Sequence, residues 1–216
     1  MDKNINLEII DSIASENLSS TAQDFAEIAL DSLLEDGILR DIPIFNALIS
    51  LYRSGVQIRQ QLFFRKIVNF LKELSEISID ERRKFVDNIN DSQKNNFGET
   101  LILLIDHANN MYKPTILGRL LKNHILGNLS YQDTERLAFI VDRVYLSDLN
   151  YLKNFTSGVQ ENPNIAASLF SAGLLANIGV DGGGADEKSP SGIIYTTNRY
   201  GNMLLEFGLK EAEKET

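Results

Sequence analysis

The sequence predicts a mainly α-helical protein whose last third carries one β-hairpin. Apolar residues recur at helical spacing through most of the 216 residues, and 43% of the chain is hydrophobic, enough to bury a core. The two strand-like runs flank a Gly-rich loop between Leu169 and Leu205. We expect a helical domain over 1–128, a second domain over 129–210 and a charged tail over 211–216.

Charge divides the first part of the chain into two opposite segments. Residues 1–36 carry nine acidic residues and one lysine, whereas residues 37–72 carry six basic residues and one aspartate. Apolar spacing predicts a helix in the acidic segment, capped near Ser19 and ended by Gly37. The basic, strongly apolar segment predicts two helices, 42–53 and 56–75.

The basic segment has two interpretations. It could present an amphipathic surface to an anionic membrane or an acidic partner, through Arg53, Arg59, Arg65 and Lys66. It could instead form a core hairpin whose charges meet the acidic first segment of the same chain. Both interpretations stay open at the level of the sequence.

Further elements follow from capping residues, glycines and apolar stripes. Up to residue 127 we expect a short helix from Ser78 or Asp80 to Val86, a polar connection over 88–96, a helix over 99–111, and a helix from Pro114 to Leu126. After residue 129 we expect a helix entered by Ser130 and Asp133, a short helix over 148–155, a third helix from Pro163 to Gly173, two strands around a loop at 181–190, and a last helix capped by Asn198.

Two motifs in the second domain carry a resemblance. The first is a leucine, three residues and then Gly-Leu-Leu, with alanine before the glycine, here Leu169 and residues 172–175; its glycine, Gly173, lets the helix end in a left-handed turn. The second is a tyrosine in the return strand, Tyr195, with Gly201 six residues later. Together they resemble winged-helix domains of prokaryotic regulators, although Thr197 and Asn198 stand where the family usually has leucine and threonine. The fold class is therefore a helical bundle followed by a winged-helix-like unit with a small β-hairpin.

The resemblance implies that the third helix would enter the major groove of DNA. Residues 163–173 contain no Lys or Arg, however, and the loop sets Lys188 against three acidic residues. Because a groove reader needs phosphate contacts, the sequence favours protein contacts through Asn164, Ser168, Lys188 and Arg199. A DNA-binding transcriptional regulator is the alternative, and nucleic acid is disfavoured as a partner.

The helical part, about 37–155, resembles uncharacterised helical proteins of bacteria and mobile elements, some of which lie near phage-defence genes. The residues that carry this resemblance are the basic helix Ile58–Lys66 and the turn Gly127–Ser130. The resemblance implies a phage-defence or mobile-element context.

The remaining sequence features exclude several kinds of chemistry. Cysteine is absent, and neither a Gly-x-Ser-x-Gly elbow nor a phosphate-binding loop with its lysine occurs. Asp106, His107 and His124 have no spacing that enforces a metal site. We therefore expect no catalytic residues, cofactor or metal. The sequence predicts a non-enzymatic cytoplasmic interaction protein that contacts a protein partner or itself, with a peripheral membrane protein using residues 42–72 as second alternative.

Overall fold

The computed structural model describes residues 4–18, 38–51, 58–157, 162–182 and 192–209. These residues are mainly helical and include a two-stranded antiparallel sheet, which confirms the mainly α class. The chain divides into two compact units, 1–130 and 131–216.

The first unit contains six α-helices among its described residues. They are α1 (Ile5–Ile13), α2 (Pro43–Leu51), α3 (Ile58–Leu74), α4 (Ile79–Asn88), α5 (Asp91–His107) and α6 (Lys113–Ile125), with a 3-10 turn at Ile38–Asp41 before α2.

Helix α1 joins the other elements of the first unit through its backbone as well as its apolar side chains. Ile9, Ile10 and Ile13 are buried. Ser12 Oγ accepts a hydrogen bond from the backbone N–H of Ile44 at 2.9 Å, so a side chain of α1 caps the start of α2.

Arg82 on α4 closes the other end of α1. Its side chain is fully buried, and its guanidinium donates to the carbonyl oxygens of Ile13 at 2.7 Å, Ser15 at 2.8 Å and Ile77 at 3.2 Å. A cation beside the last carbonyls of a helix also complements the helix dipole.

Two glycines allow helices of the first unit to approach closely. A Cβ on Gly98 of α5 would lie 1.9 Å from the carbonyl oxygen of Asn6, and one on Gly118 of α6 would lie 2.5 Å from that of Phe70. A larger residue at either position would push two helices apart.

Two expectations for the first unit were incomplete. Helix α1 was not predicted, and α5 begins at Asp91, so the connection expected over 88–96 is confined to residues 89–90. The polar run can be helical because Asn95 Oδ1 accepts hydrogen bonds from the side chains of Asn4 at 2.7 Å and Asn6 at 3.4 Å. The predicted acidic helix and Gly37 lie outside the described residues.

The second unit has helices on either side of the hairpin. In chain order, the described elements of this unit are α7 (Tyr131–Arg143), α8 (Leu146–Leu149), a 3-10 helix (Leu152–Ser157), α9 (Pro163–Ser171), β1 (Leu175–Asp181), β2 (Gly192–Thr197) and α10 (Arg199–Leu204). Helix α10 continues as a π-helical turn over Leu205–Leu209.

In this unit, the predicted helix ends are correct where a single residue type fixes the local backbone conformation. Gly173 has a φ of +87°, and its N–H donates to Phe170 O, which gives the left-handed helix end that was expected. Asn198 Oδ1 accepts from Gly201 N at 2.9 Å, which confirms the cap of α10. The short helix expected over 148–155 is instead split into α8 and the 3-10 helix. The winged-helix assignment stays a prediction.

Candidate interaction surfaces

An exposed apolar strip follows the hairpin of the second unit from the end of α9. Val180 pairs with Ile193, so both lie on one face of the sheet, and Tyr195 lies on that face two residues further along β2. The rings of Phe170 and Tyr195 are in contact, with centroids 5.3 Å apart. Val180 is 73% exposed, Phe170 45% and Ile193 43%. These four residues are the apolar strip.

The apolar strip is the outward continuation of the core. Leu175 and Thr197 pair at the other end of the same face, and both are buried. Beside the strip, a β-bulge between Asn177 and Gly179 leaves Ile178 exposed. Large apolar side chains therefore extend from the core into solvent along one hairpin.

The chain around the apolar strip has no charge. Residues 162–180 and 192–198 include no Asp, Glu, Lys, Arg or His, and the first charges that border them in the sequence are Glu161, Asp181, Lys188 and Arg199. Asn164 lies in this region and is exposed, and its role in protein contacts stays a prediction. Ser168 is half-buried and its hydroxyl lies 2.5 Å from Asp148 Oδ2, so it joins α9 to α8.

Arg199, predicted as a surface cation, is engaged within the second unit. Its guanidinium donates to the buried Asp133 carboxylate at 2.8 Å and lies 5.7 Å from the Tyr200 ring centroid. Arg136 lies over the same ring at 5.3 Å. Arg199 therefore ties α10 to α7, although its side chain remains 64% exposed. Lys188 lies outside the described residues.

The basic surface predicted on the first unit is only partly exposed, because one of its cations makes a contact within the unit. Arg59 and Arg65 are exposed on α3, and Arg59 lies 3.6 Å from Asp106. Lys66 is half-buried and donates to the carbonyl oxygen of Asp106 at 2.7 Å, at the end of α5. Burial lowers the pKa of Lys66, and the negative charge of Asp106 opposes that shift. Arg53 lies outside the described residues.

Apolar side chains accompany the exposed arginines of α3. Ile58 is 77% exposed and Leu62 is 41% exposed, whereas Phe64 on the inner side is buried. The described acidic partner of Arg59 is Asp106, on α5. In the acidic first segment, Glu16 instead pairs with Arg83 of α4 at 2.5 Å.

A half-buried ion pair joins α3 to α6. Arg119 Nε lies 3.2 Å from Glu73 Oε2, and the same guanidinium donates to the Tyr112 hydroxyl at 3.2 Å. Burial raises the pKa of Glu73 above its ordinary value of 4.5, which outweighs the opposite effect of Arg119. The pair is therefore an internal contact between helices.

The two histidines lie in different surroundings. His107 is exposed, whereas His124 is half-buried with Nδ1 2.9 Å from Leu129 O and its ring edge-on to Phe85. Within the described ranges, no three acidic or histidine side chains are grouped so that they could hold a metal ion. None of the described helices is long and apolar enough to cross a membrane.

Sequence reasoning did not select Val180 or Ile193 as surface residues. The sequence feature that could have identified them is the long run without charged residues around them. In a two-stranded sheet one face is left without a covering layer, so a strand that has no charged residues exposes apolar side chains on that face. Comparison with protein-family models, with curated proteins and with solved structures found no match.

Proposed function

We propose that this chain is a non-enzymatic interaction protein whose second unit is a winged-helix-like module used for protein contacts. The observation that carries the proposal is the apolar strip, which lies in a region without charge. Exposed apolar patches on a folded surface mark sites of association, since their burial is favourable. A helix end and a hairpin that expose apolar, uncharged side chains are suited to contact with a protein surface.

The same region is unsuited to the alternative of duplex DNA. Phosphate contacts from Lys and Arg supply most of the affinity of DNA-binding proteins and set their register. Residues 162–180 and 192–198 contain neither residue type. Arg199, the next cation, already donates to Asp133. The net charge of −9 further opposes approach to a polyanion.

Photo-cross-linking in cells tests the proposal. A photoreactive phenylalanine analogue placed at Val180 should form covalent adducts with protein, and these should disappear when Ile193→Lys is added. The control position is Leu103, an apolar residue of α5 in the first unit that is 49% exposed. We expect fewer protein adducts at Leu103 than at Val180.

Two outcomes would contradict the proposal. One is the absence of any protein adduct at Val180. The other is binding of purified protein to a mixed-sequence duplex with an affinity that falls steeply with salt and is insensitive to Val180→Glu, because that result would assign nucleic-acid contacts elsewhere on the surface.

A further inference from the structure

We infer that the outward side of α3 binds the surface of an anionic phospholipid membrane. This side carries Ile58, Leu62, Arg65 and Lys72, which together are the α3 stripe, and Arg59 lies beside them. All five residues are exposed. The inference concerns the first unit and is independent of the apolar strip that carries the proposed function.

Helical spacing places the α3 stripe along one line of the helix surface. Its members are separated by four, three and seven residues, so they lie within one narrow sector over roughly 21 Å. The opposite side of α3 is in the core, where the ring centroid of Phe64 lies 4.5 Å from that of Phe45 on α2. Packing of the core therefore fixes which side of α3 faces solvent.

The charge along the α3 stripe is positive. Residues 42–72 contain five Lys or Arg and no Asp or Glu. Two carboxylates follow this stretch, and each is paired with a cation of α6: Glu73 lies 3.2 Å from Arg119, and Glu76 pairs with Lys122. Because these two carboxylates are already balanced, they do not cancel the charge of the stripe.

Arg59 is held only weakly by its acidic neighbour Asp106. The two side chains are 86% and 39% exposed, and Arg59 Nη2 lies 3.6 Å from Asp106 Oδ2. An exposed pair at this distance contributes little to stability, so the guanidinium can exchange the carboxylate for a lipid phosphate at small cost. Arg59 is therefore available to a membrane together with the α3 stripe.

The mixture of aliphatic and cationic side chains favours a membrane over a protein surface. Ile58 is 77% exposed and Leu62 is 41% exposed, and such side chains enter the boundary between headgroups and acyl chains while neighbouring cations bind anionic headgroups. A protein partner needs a matching surface of roughly 20–30 residues on each side, and the α3 stripe is much smaller. A fluid bilayer adapts to one row of side chains and presents many headgroups to it.

The net charge of −9 limits the strength of this binding. At about 0.15 M salt the Debye length is about 8 Å, so acidic groups elsewhere on the chain are largely screened from lipids that touch the stripe. The charges of the stripe itself then decide the interaction. We therefore expect weak, reversible binding at physiological ionic strength.

Co-sedimentation of the full chain with vesicles tests the inference. At about 0.15 M salt the chain should bind vesicles containing about 30% phosphatidylserine at least about fivefold more strongly than vesicles of phosphatidylcholine alone. Arg65→Glu combined with Lys72→Glu should weaken binding to the anionic vesicles by about twentyfold or more, since each cation near such a surface contributes about fivefold.

A second double variant controls for the change in net charge. Lys84 on α4 and Lys153 on the 3-10 helix of the second unit are both exposed, and replacing both by Glu alters the net charge by the same amount. Because they lie outside the α3 stripe, binding should stay within about twofold of wild type. Circular dichroism should give equal melting temperatures for both double variants and wild type.

A fluorescent label at Ile58 identifies the contact. The chain has no cysteine, so Ile58→Cys gives a single attachment site for an environment-sensitive fluorophore. Its emission should shift to the blue with anionic vesicles, because the label enters the apolar boundary, and should stay unchanged with neutral vesicles. The control is Leu103→Cys, on α5 at a position that is 49% exposed, where neither kind of vesicle should change the emission.

Three results would overturn the inference: equal or absent binding to both kinds of vesicle, equal losses for the two double variants, or emission at Ile58 that anionic vesicles leave unchanged. If the chain ignores vesicles while a photoreactive group at Ile58 captures a protein in cells, the α3 stripe binds an acidic protein and the membrane inference is wrong. None of these results concerns Val180, so the proposed function fails only by its own test.

Discussion

Replacing Arg82 by methionine should destabilise the first unit far more than the same replacement one residue later. The Arg82 guanidinium is fully buried and donates to three carbonyl oxygens at 2.7–3.2 Å, whereas methionine fills a similar volume and donates nothing. A hydrogen bond from a charged donor contributes about 1.5–3 kcal/mol, and removal of the charge also removes its own desolvation cost. We expect a net loss of about 3–4 kcal/mol, against a typical total of about 5–15 kcal/mol.

Arg83 provides the matched control. It lies on the same helix and pairs with Glu16, but both side chains are largely exposed, at 48% and 72%. Arg83→Met should cost about 0.5 kcal/mol or less. Urea unfolding followed by circular dichroism measures both, with an unchanged slope against urea concentration. Equal losses for the two variants would refute the buried role of Arg82.

Arg82→Lys separates charge from geometry. Lysine keeps the positive charge, but its single ammonium cannot reach three carbonyls in the fork that a guanidinium spans. The loss should therefore lie between that of the methionine variant and zero. A lysine variant as stable as wild type would show that the charge alone, and not the hydrogen-bond geometry, is required at the end of α1.

Three further substitutions test other contacts by the same unfolding measurement. Gly98→Ala should cost about 2–4 kcal/mol because the new methyl group would meet Asn6 O at 1.9 Å; a loss below about 0.5 kcal/mol would contradict the close packing. The free energy of unfolding of wild type, relative to that of Glu73→Gln, should be highest in acid. Because the pKa of Glu73 is raised in the folded state, this advantage should be lost as the pH rises from near 4.5 through that pKa. The opposite trend would show that the Arg119 ion pair dominates. Asn198→Ala should cost about 1–2 kcal/mol through loss of a helix cap, and an unchanged midpoint would contradict that role.

The sequence was most informative where a residue type alone decides the backbone. Gly173 was expected in the left-handed region, and its φ is +87°. Asn198 was expected to cap a helix, and its side chain accepts from Gly201 N. The helix expected over 56–75 corresponds to α3, Ile58–Leu74, because its apolar positions repeat at 3.6-residue spacing.

Partners distant in the sequence were not predictable in this way. Arginine is a residue type usually found at the surface, yet the side chain of Arg82 donates hydrogen bonds to carbonyl oxygens 67 and 69 residues earlier in the chain. Helix α5 begins eight residues before the expected start, since the polar run faces Asn4 and Asn6. Lys66 was assigned to an exposed surface, whereas it also bonds the end of α5. In each case the deciding atom belongs to another element.

Helix α1 also constrains the order in which the first unit can be completed during synthesis. Nine residues are too few for a stable isolated helix in water, so α1 depends on contacts made by Ile44, Arg82 and Gly98. At roughly 5–20 residues per second, Gly98 is added roughly 4–17 s after Ile13. During that interval Ile13 and its apolar neighbours have no complete core to enter, and they are open to chaperones that bind hydrophobic segments. The first helix of the described chain is thus secured only after α5 has been made.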